Sequence, residues 1–126
     1  MSAKTILIAD DSASMRAFLV AIVEALGDYQ IVEASSGFEA LRLLPRDRVD
    51  LILTDINMPD INGLELISYL RNHPNYKDIP LFIISTEGSP KDIEKGKQLG
   101  ADEYIVKPFS PAALQQLINK YLNKTP

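Results

Sequence analysis

Short apolar runs alternate with longer amphipathic segments along most of the chain. The first run, residues 5–9, is almost entirely apolar, which is typical of a strand covered on both faces. In residues 13–26 the apolar positions recur every three or four residues, as on one face of a helix, and Gly27 follows where a helix would end. Further apolar runs predict strands over residues 30–34, 49–54, 81–85 and 103–106.

Helix start signals lie between these predicted strands. Helices are predicted over residues 36–44 and 63–71. Asn62 and Glu65 have the spacing of a capping box at the start of the second of these helices. Ser89-Pro90 and Ser110-Pro111 each place a capping hydroxyl before a first-turn proline, so each pair opens a helix. The chain therefore consists of five successive strand–helix units.

This alternation predicts an α/β fold of the doubly wound (βα)5 type. Strands that alternate with helices form a parallel sheet with helices on both faces, and right-handed crossovers leave few possible arrangements. In such sheets ligands bind beyond the carboxyl ends of the strands, where the strand order reverses. The residues directly after each strand are therefore the candidates for function.

Composition narrows the chemistry that the protein can perform. The 126 residues have the size of one domain and contain no cysteine, so disulfides, thiolate metal sites and cysteine nucleophiles are excluded. The single histidine, His73, argues against a histidine-rich zinc site, and a net charge of −4 argues against nucleic-acid binding. No stretch has the length of a signal peptide core or a membrane span, so we expect a cytoplasmic protein without membrane contact.

The predicted strand ends carry an unusual set of polar residues. Asp10 and Asp11 follow the first strand, Asp55 the third, Ser85 ends the fourth and Lys107 follows the fifth. If the first and third strands are neighbours, three carboxylates converge, and their mutual repulsion would be relieved by a divalent cation. Oxygen ligands without nearby histidine or cysteine select a hard metal such as Mg²⁺.

These residue types suit phosphoryl transfer. A carboxylate can attack phosphorus and become an acyl phosphate, and a cation with a lysine can neutralise the phosphoryl oxygens. On this hypothesis Asp10 and Asp11 hold the metal and Asp55 is the nucleophile. Ser85 and Lys107 contact the phosphoryl group.

The sequence resembles the receiver domains of two-component response regulators, and most closely the stand-alone, CheY-like members. The resemblance covers essentially the whole chain and rests on several motifs in order. They are Asp10-Asp11-Ser12, residues 55–63 (DINMPDING), Ser85, residues 100–104 (GADEY) and residues 107–109 (KPF). It implies a flavodoxin-like five-stranded parallel sheet with strand order 2-1-3-4-5.

The resemblance also implies how the site works. Asp55 is expected to accept a phosphoryl group from the phosphohistidine of a CheA-like sensor histidine kinase or a phosphotransfer protein. Asp11, Asp55 and the main-chain carbonyl of Asn57 would bind Mg²⁺ directly, and Asp10 would bind it mostly through water. Lys107 is expected to precede a cis proline, as in the family.

Further residues are assigned roles by the same resemblance. Ser85 and Tyr104 are expected to form the switch, and Asn57 and Glu87 to tune hydrolysis of the acyl phosphate. The fourth helix, fifth strand and fifth helix would form the face that binds an output protein. Ser85 stands where threonine is more usual. Thr86, where alanine is common, could hinder access to the phosphoryl group.

Several alternatives stay open from the sequence. A haloacid-dehalogenase-type Mg²⁺ phosphatase also uses an aspartate nucleophile, but position 57 is Asn and supplies no acid for a leaving group. A flavin module would need a phosphate loop where Asp10 and Asp11 stand. A phosphorelay intermediate and an unphosphorylated scaffold also remain. We expect a single receiver domain over residues 1–126 without an output domain. It is expected to act as a monomer, in a role such as chemotaxis. It is expected to be a phosphoacceptor signalling protein, with self-phosphorylation and slow self-dephosphorylation only, rather than an enzyme. Gly88 and Gly96 are expected to weaken the fourth helix and make the output face mobile.

Overall fold

A computed structural model describes residues 3–46 and 48–123, which alternate five strands and five helices. The strands are β1 (Thr5–Ala9), β2 (Gln30–Ala34), β3 (Leu51–Thr54), β4 (Leu81–Ser85) and β5 (Glu103–Val106). The helices are α1 (Ala13–Leu26), α2 (Gly37–Leu43), α3 (Gly63–Arg71), α4 (Pro90–Leu99) and α5 (Pro111–Leu122). None of the helices within these two ranges is long and apolar enough to cross a membrane.

All five strands join one parallel sheet in the order β2-β1-β3-β4-β5. In register, Leu7 of β1 lies beside Ile52 of β3, and Leu53 of β3 lies beside Phe82 of β4. The strand order reverses between β1 and β3, because β2 lies on one side of β1 while β3, β4 and β5 follow on its other side. The predicted fold class and strand order are confirmed.

Two apolar cores cover the two faces of the sheet. One face packs against α1 and α5 through buried residues such as Leu19, Val23 and Ile118. The other face packs against α2, α3 and α4, with Leu66 and Leu70 of α3 fully buried. The central strands β1, β3 and β4 are buried along their whole length, which explains their nearly continuous apolar sequences. The helices therefore cover both faces of the sheet and leave its carboxyl edge to the residues that follow the strands.

The predicted helix starts are confirmed by the capping bonds. Ser89 and Ser110 each accept a hydrogen bond from the main chain three residues later, and each precedes a first-turn proline. Asn62 and Glu65 form the predicted capping box, at distances of 2.9 and 3.0 Å. These bonds satisfy N–H groups that the helix itself leaves free.

The third strand is shorter than the apolar run 49–54 indicated, because it begins at Leu51. The N–H of Thr5 donates to the carboxylate of Asp50 at 2.8 Å rather than to a main-chain carbonyl, which ends the ladder there. Val49 is buried all the same. The apolar pattern reflects which residues are buried, whereas the strand boundary depends on whether a main-chain or a side-chain oxygen accepts the bond from the N–H of Thr5.

Candidate functional site

Three carboxylates meet at the carboxyl edge of the sheet. Asp10 and Asp11 follow β1 and Asp55 follows β3, the adjacent strand, so the N–H of Asp55 bonds to the carbonyl of Ala9 at 3.0 Å. Each of the three side chains offers an oxygen, and these oxygens lie within 4.8 Å of one another. The sheet topology, rather than any local motif, thus brings together the acids predicted as metal ligands.

Asp10 is the most deeply placed of these acids, with 1% of its surface exposed. Its Oδ1 accepts a hydrogen bond from the N–H of Ser12 at 2.9 Å. Burial raises the pKa of the Asp10 carboxyl above its ordinary value, the Ser12 bond and the ammonium of Lys107 lower it, and the nearby Asp55 raises it further. The charged form of Asp10 is therefore costly unless a cation lies close to it.

Lys107 supplies a positive charge beside two of these acids. Its Nζ lies 3.4 Å from Asp10 Oδ2 and 3.5 Å from Asp55 Oδ2, and 12% of the lysine side chain is exposed. The N–H of Lys107 donates to the carbonyl of Ser85 at 2.8 Å, which fixes the end of β5 against the end of β4. The Lys107–Pro108 peptide bond is cis, as the resemblance implied.

The loop that follows β3 is held close to the strand end. The Oδ1 of Asp55 accepts a bond from the N–H of Ile56 at 2.7 Å, and Gly63 N–H donates to the carbonyl of Ile56 at 2.9 Å. A Cβ on Gly63 would lie 2.3 Å from the carbonyl oxygen of Asp55, so this close approach requires glycine. Asn57 is exposed in this loop, and Met58 is buried in the core.

Ser85, Glu87 and Tyr104 form a second group beside the acids. Ser85 is fully buried and its Oγ accepts a bond from the N–H of Glu87 at 3.0 Å. Tyr104 donates its phenolic hydrogen to the carbonyl of Glu87. Within residues 3–46 and 48–123, the Ser85 hydroxyl has no hydrogen bond to the three carboxylates. Ser85 is connected to the site by its main-chain carbonyl, which accepts the bond from the N–H of Lys107.

The donor set fits a hard divalent cation. Three carboxylates face one ammonium group, so negative charge is in excess, and the described part of the site offers oxygens without sulfur or imidazole ligands. Mg²⁺ prefers such oxygen ligands and commonly uses few carboxylates together with water. Asp10, Asp11 and Asp55 could hold it, with the main-chain carbonyl of Asn57 available from the adjoining loop.

Two further residues make contacts near the site that were not predicted from the sequence. Arg16 donates from Nη1 to the main-chain carbonyl of Asp10 at 2.7 Å and pairs with Glu33 at 3.1 Å. Its position four residues after the helix cap Ser12 could have suggested that it returns to the strand end. Asp60 bonds to the start of α2 across the sheet edge, and no sequence spacing indicates that long-range contact.

The fold and the site together are those of a parallel (βα)5 sheet with an acidic crevice and a lysine at its carboxyl edge. The family model described as "Response regulator receiver domain" matches residues 6–119. The chain belongs to this family of response-regulator receiver domains, which are domains of two-component signalling proteins rather than ordinary enzymes.

Curated relatives of similar length include chemotaxis proteins. A "Chemotaxis protein CheY homolog" from Campylobacter jejuni is 36% identical over 118 residues, which cover 93% of this chain and 91% of the relative. "Chemotaxis protein CheY1" from Helicobacter pylori is 35% identical over 118 residues, covering 93% and 95%. The chain is therefore a CheY-type receiver.

Solved structures give the same fold. The chemotaxis response regulator CheY4 of Vibrio cholerae has a TM-score of 0.87 and 34% identity, covering 96% of this chain and all of that one. The receiver domain of sensor histidine kinase PA1611 from Pseudomonas aeruginosa, with a magnesium ion in its active-site cleft, has a TM-score of 0.87 and 26% identity. It covers 98% of this chain and all of the other.

Proposed function

We propose that this protein is a phosphorylation-activated signalling receiver whose phosphoacceptor is Asp55. A carboxylate oxygen of Asp55 attacks the phosphorus of a phosphohistidine on a sensor histidine kinase, CheA-like or otherwise, or on a phosphotransfer protein. The new O–P bond makes an acyl phosphate as the P–N bond breaks, and the donor histidine keeps the electron pair and takes up a proton. The observation that carries this proposal is the convergence of Asp10, Asp11, Asp55 and Lys107 at one crevice.

Mg²⁺ is the proposed cofactor of this transfer. Asp11, Asp55 and the main-chain carbonyl of Asn57 would bind the ion directly, and Asp10 would bind it mostly through water. When bound, the ion neutralises charge on the transferring phosphoryl oxygens. The magnesium ion in the related Pseudomonas receiver supports this assignment.

The remaining site residues respond to the phosphoryl group. Lys107 already lies 3.5 Å from Asp55 Oδ2 and would pair with a phosphoryl oxygen. Ser85 would turn its hydroxyl from the N–H of Glu87 toward another phosphoryl oxygen. Since Tyr104 bonds to the carbonyl of the same Glu87, movement of the Glu87 peptide changes the surroundings of Tyr104. The proposed output face consists of α4, β5 and α5.

The acyl phosphate would be lost slowly by hydrolysis. Asn57 and Glu87 are the proposed tuning residues, since both are exposed in loops at the carboxyl edge of the sheet. Thr86 is exposed beside them and is a candidate for limiting access to the phosphoryl group.

We further propose a single receiver domain over residues 1–126 that acts as a cytoplasmic monomer and signals by binding another protein. The CheY proteins of Campylobacter and Helicobacter favour a chemotaxis role. A place as an intermediate in a phosphorelay is the second candidate, since a receiver domain of a signal transduction histidine kinase from Syntrophus aciditrophicus has 33% identity and a TM-score of 0.88.

Intact-mass measurement after incubation with Mg²⁺ and a small phosphodonor tests the proposal. One labile phosphoryl adduct is expected in the wild type and none in Asp55→Asn. Asp78→Asn, which removes an exposed carboxylate before β4 at the opposite edge of the sheet, is the matched control and should be phosphorylated normally. Absence of any adduct would favour an unphosphorylated scaffold, and sustained phosphate release from sugar phosphates would favour a phosphatase.

A further inference from the structure

The carboxylate of Asp60 connects the loop after β3 to the start of α2. Its Oδ1 accepts hydrogen bonds from the N–H of Gly37 at 3.2 Å and from its neighbour Ile61 at 2.6 Å. Its Oδ2 accepts a bond from the N–H of Phe38 at 3.1 Å. Asp60 is exposed, yet three main-chain donors hold its side chain, and two of them are more than twenty residues away in sequence.

The backbones on the two sides of this connection are also in close contact. A Cβ built on Gly37 would lie 2.1 Å from the carbonyl oxygen of Ile61, so the start of α2 lies directly against the loop. Hydrogen bonds from main-chain N–H groups favour the ionised form, and the bond from Ile61, then that from Phe38, lowers the pKa of Asp60. The side chain is therefore a carboxylate at neutral pH.

This connection fixes a loop segment that contains a proposed metal ligand. Residues 56–61 are anchored at their start by the bond from Gly63 N–H to the carbonyl of Ile56, at 2.9 Å. They are anchored at their end by the hydrogen bonds that Asp60 accepts from the start of α2. Asn57, whose main-chain carbonyl is a proposed Mg²⁺ ligand, lies between these anchors and is itself exposed. The position of that carbonyl thus depends on both anchors.

We propose that Asp60 is a positioning residue that sets the Mg²⁺ affinity of the site by holding the loop that contains Asn57. The inference rests on the proposed Mg²⁺ site. Asp60 acts through the main chain of α2 and the loop, and it does not contact the metal. Groups that orient a metal ligand without touching the metal commonly change metal affinity by about 10- to 100-fold when they are removed.

Two substitutions separate positioning from charge. Asp60→Ala removes both acceptor oxygens. Asp60→Asn removes the same charge but keeps one acceptor oxygen. Its NH₂ group replaces the second oxygen and cannot accept the bond that a main-chain N–H donated there. Asp78→Asn is the control, because it removes one negative charge at the opposite edge of the sheet. Positioning predicts that affinity for Mg²⁺ falls about tenfold in Asp60→Ala, less in Asp60→Asn and not at all in Asp78→Asn.

The measurement is a Mg²⁺ titration followed by amide NMR shifts, without any phosphodonor. Amide hydrogen exchange in metal-free protein is measured alongside and should be faster at Gly37 and Phe38 in both Asp60 variants. With a phosphodonor, the Mg²⁺ concentration at half-maximal phosphorylation should rise while the rate at saturating Mg²⁺ is retained. Thermal unfolding of each variant confirms that it remains folded.

The outcomes separate this inference from the proposed function. Unchanged Mg²⁺ affinity in Asp60 variants whose Gly37 and Phe38 amides exchange faster would overturn the inference while the proposed function stands. Equal weakening in Asp60→Asn and Asp60→Ala would show a charge effect and also overturn it. Graded weakening in a protein that accepts no phosphoryl group would support the positioning role and overturn the proposed function. A wild type that binds no Mg²⁺ overturns both.

Discussion

The phenolic hydroxyl of Tyr104, on β5, donates a hydrogen bond to the main-chain carbonyl of Glu87, in the loop between β4 and α4. The N–H of the same Glu87 donates to Ser85 Oγ. The ring of Tyr104 lies against Gly96 of α4, where a Cβ would be 2.9 Å from the ring. Gly96 is buried, so this glycine makes room for Tyr104 as well as lowering the helix propensity of α4.

Gly96→Ala is expected to displace the Tyr104 ring and break its bond to Glu87. Burial raises the pKa of Tyr104, so a displaced, more exposed ring should titrate closer to the ordinary value for tyrosine. The helix itself gains about 1 kcal/mol from the substitution, so the fold should persist. NMR titration of ¹³C-labelled tyrosine measures this pKa, and Tyr104→Phe assigns its signal. An unchanged Tyr104 pKa in Gly96→Ala would contradict the prediction.

Asp10→Asn is expected to stabilise the protein when metal is absent. Burial raises the pKa of Asp10, which means that its ionised form costs free energy of folding, and an amide of the same shape avoids that cost. The Asn oxygen can still accept the bond from Ser12. The melting temperature in a chelator should rise by a few degrees.

The same variant should respond less to Mg²⁺. A ligand at 100 times its Kd stabilises the folded state by about 2.7 kcal/mol, and Asp10→Asn should gain less because it has lost a charge at the proposed site. Thermal unfolding with and without Mg²⁺ gives both quantities for wild type and variant. A melting temperature that falls in the chelator would show that the ion pair with Lys107, at 3.4 Å, outweighs the burial of Asp10.

Much of the fold could be predicted from the sequence because its signals are local. Continuous apolar runs, serine–proline starts and the capping box Asn62–Glu65 each act within a few residues, and the structure confirms them. The start of β3 was predicted two residues early, because Val49 is buried and so extends the apolar pattern to residues before Leu51, where the strand begins. Hydropathy does not show whether a side-chain or a main-chain oxygen accepts a hydrogen bond, so it does not predict this strand boundary.

The site was predictable where topology places strand ends together. Asp10, Asp11, Asp55 and Lys107 meet because the strands that carry them are parallel and share an edge. Contacts between two loops were not predictable, since the bonds of Asp60 to the start of α2 depend on how the loops meet and not on the order of the strands.

Tyr121 is expected to make stability fall in strongly alkaline solution. Burial, followed by the hydrogen bond and negative charge of Glu103, raises the pKa of Tyr121 to about 12. The folded state therefore holds the phenolic proton more tightly than the unfolded chain, whose tyrosines ionise near pH 10. This contribution to stability is complete below pH 10 and is lost as the pH rises to about 12. Absorbance at the tyrosinate band should show Tyr121 ionising late.

Tyr121→Phe provides the comparison. The hydroxyl of Tyr121 donates to Glu103 at 2.8 Å, so the variant should lose about 1 kcal/mol of unfolding free energy near neutral pH. The difference between wild type and variant should shrink between pH 10 and 12, and denaturant unfolding at several pH values measures it. A constant difference across this range would mean that Tyr121 ionises no later in the folded state.

Gly63→Ala is expected to destabilise the protein by about 3 kcal/mol, because the new Cβ would lie 2.3 Å from the carbonyl oxygen of Asp55 and 2.9 Å from the Cα of Ile56. These are main-chain atoms at the end of β3, so relief of the overlap must move Asp55, the proposed phosphoacceptor, as well. Gly27→Ala is the matched control, since its Cβ would lie 3.7 Å from the nearest atom, in the Tyr29 ring, and its extended backbone accepts any residue. That control should change stability by no more than about 0.5 kcal/mol. Denaturant unfolding compares the two, and equal stabilities would mean that the loop after β3 can move away from Gly63 at little cost.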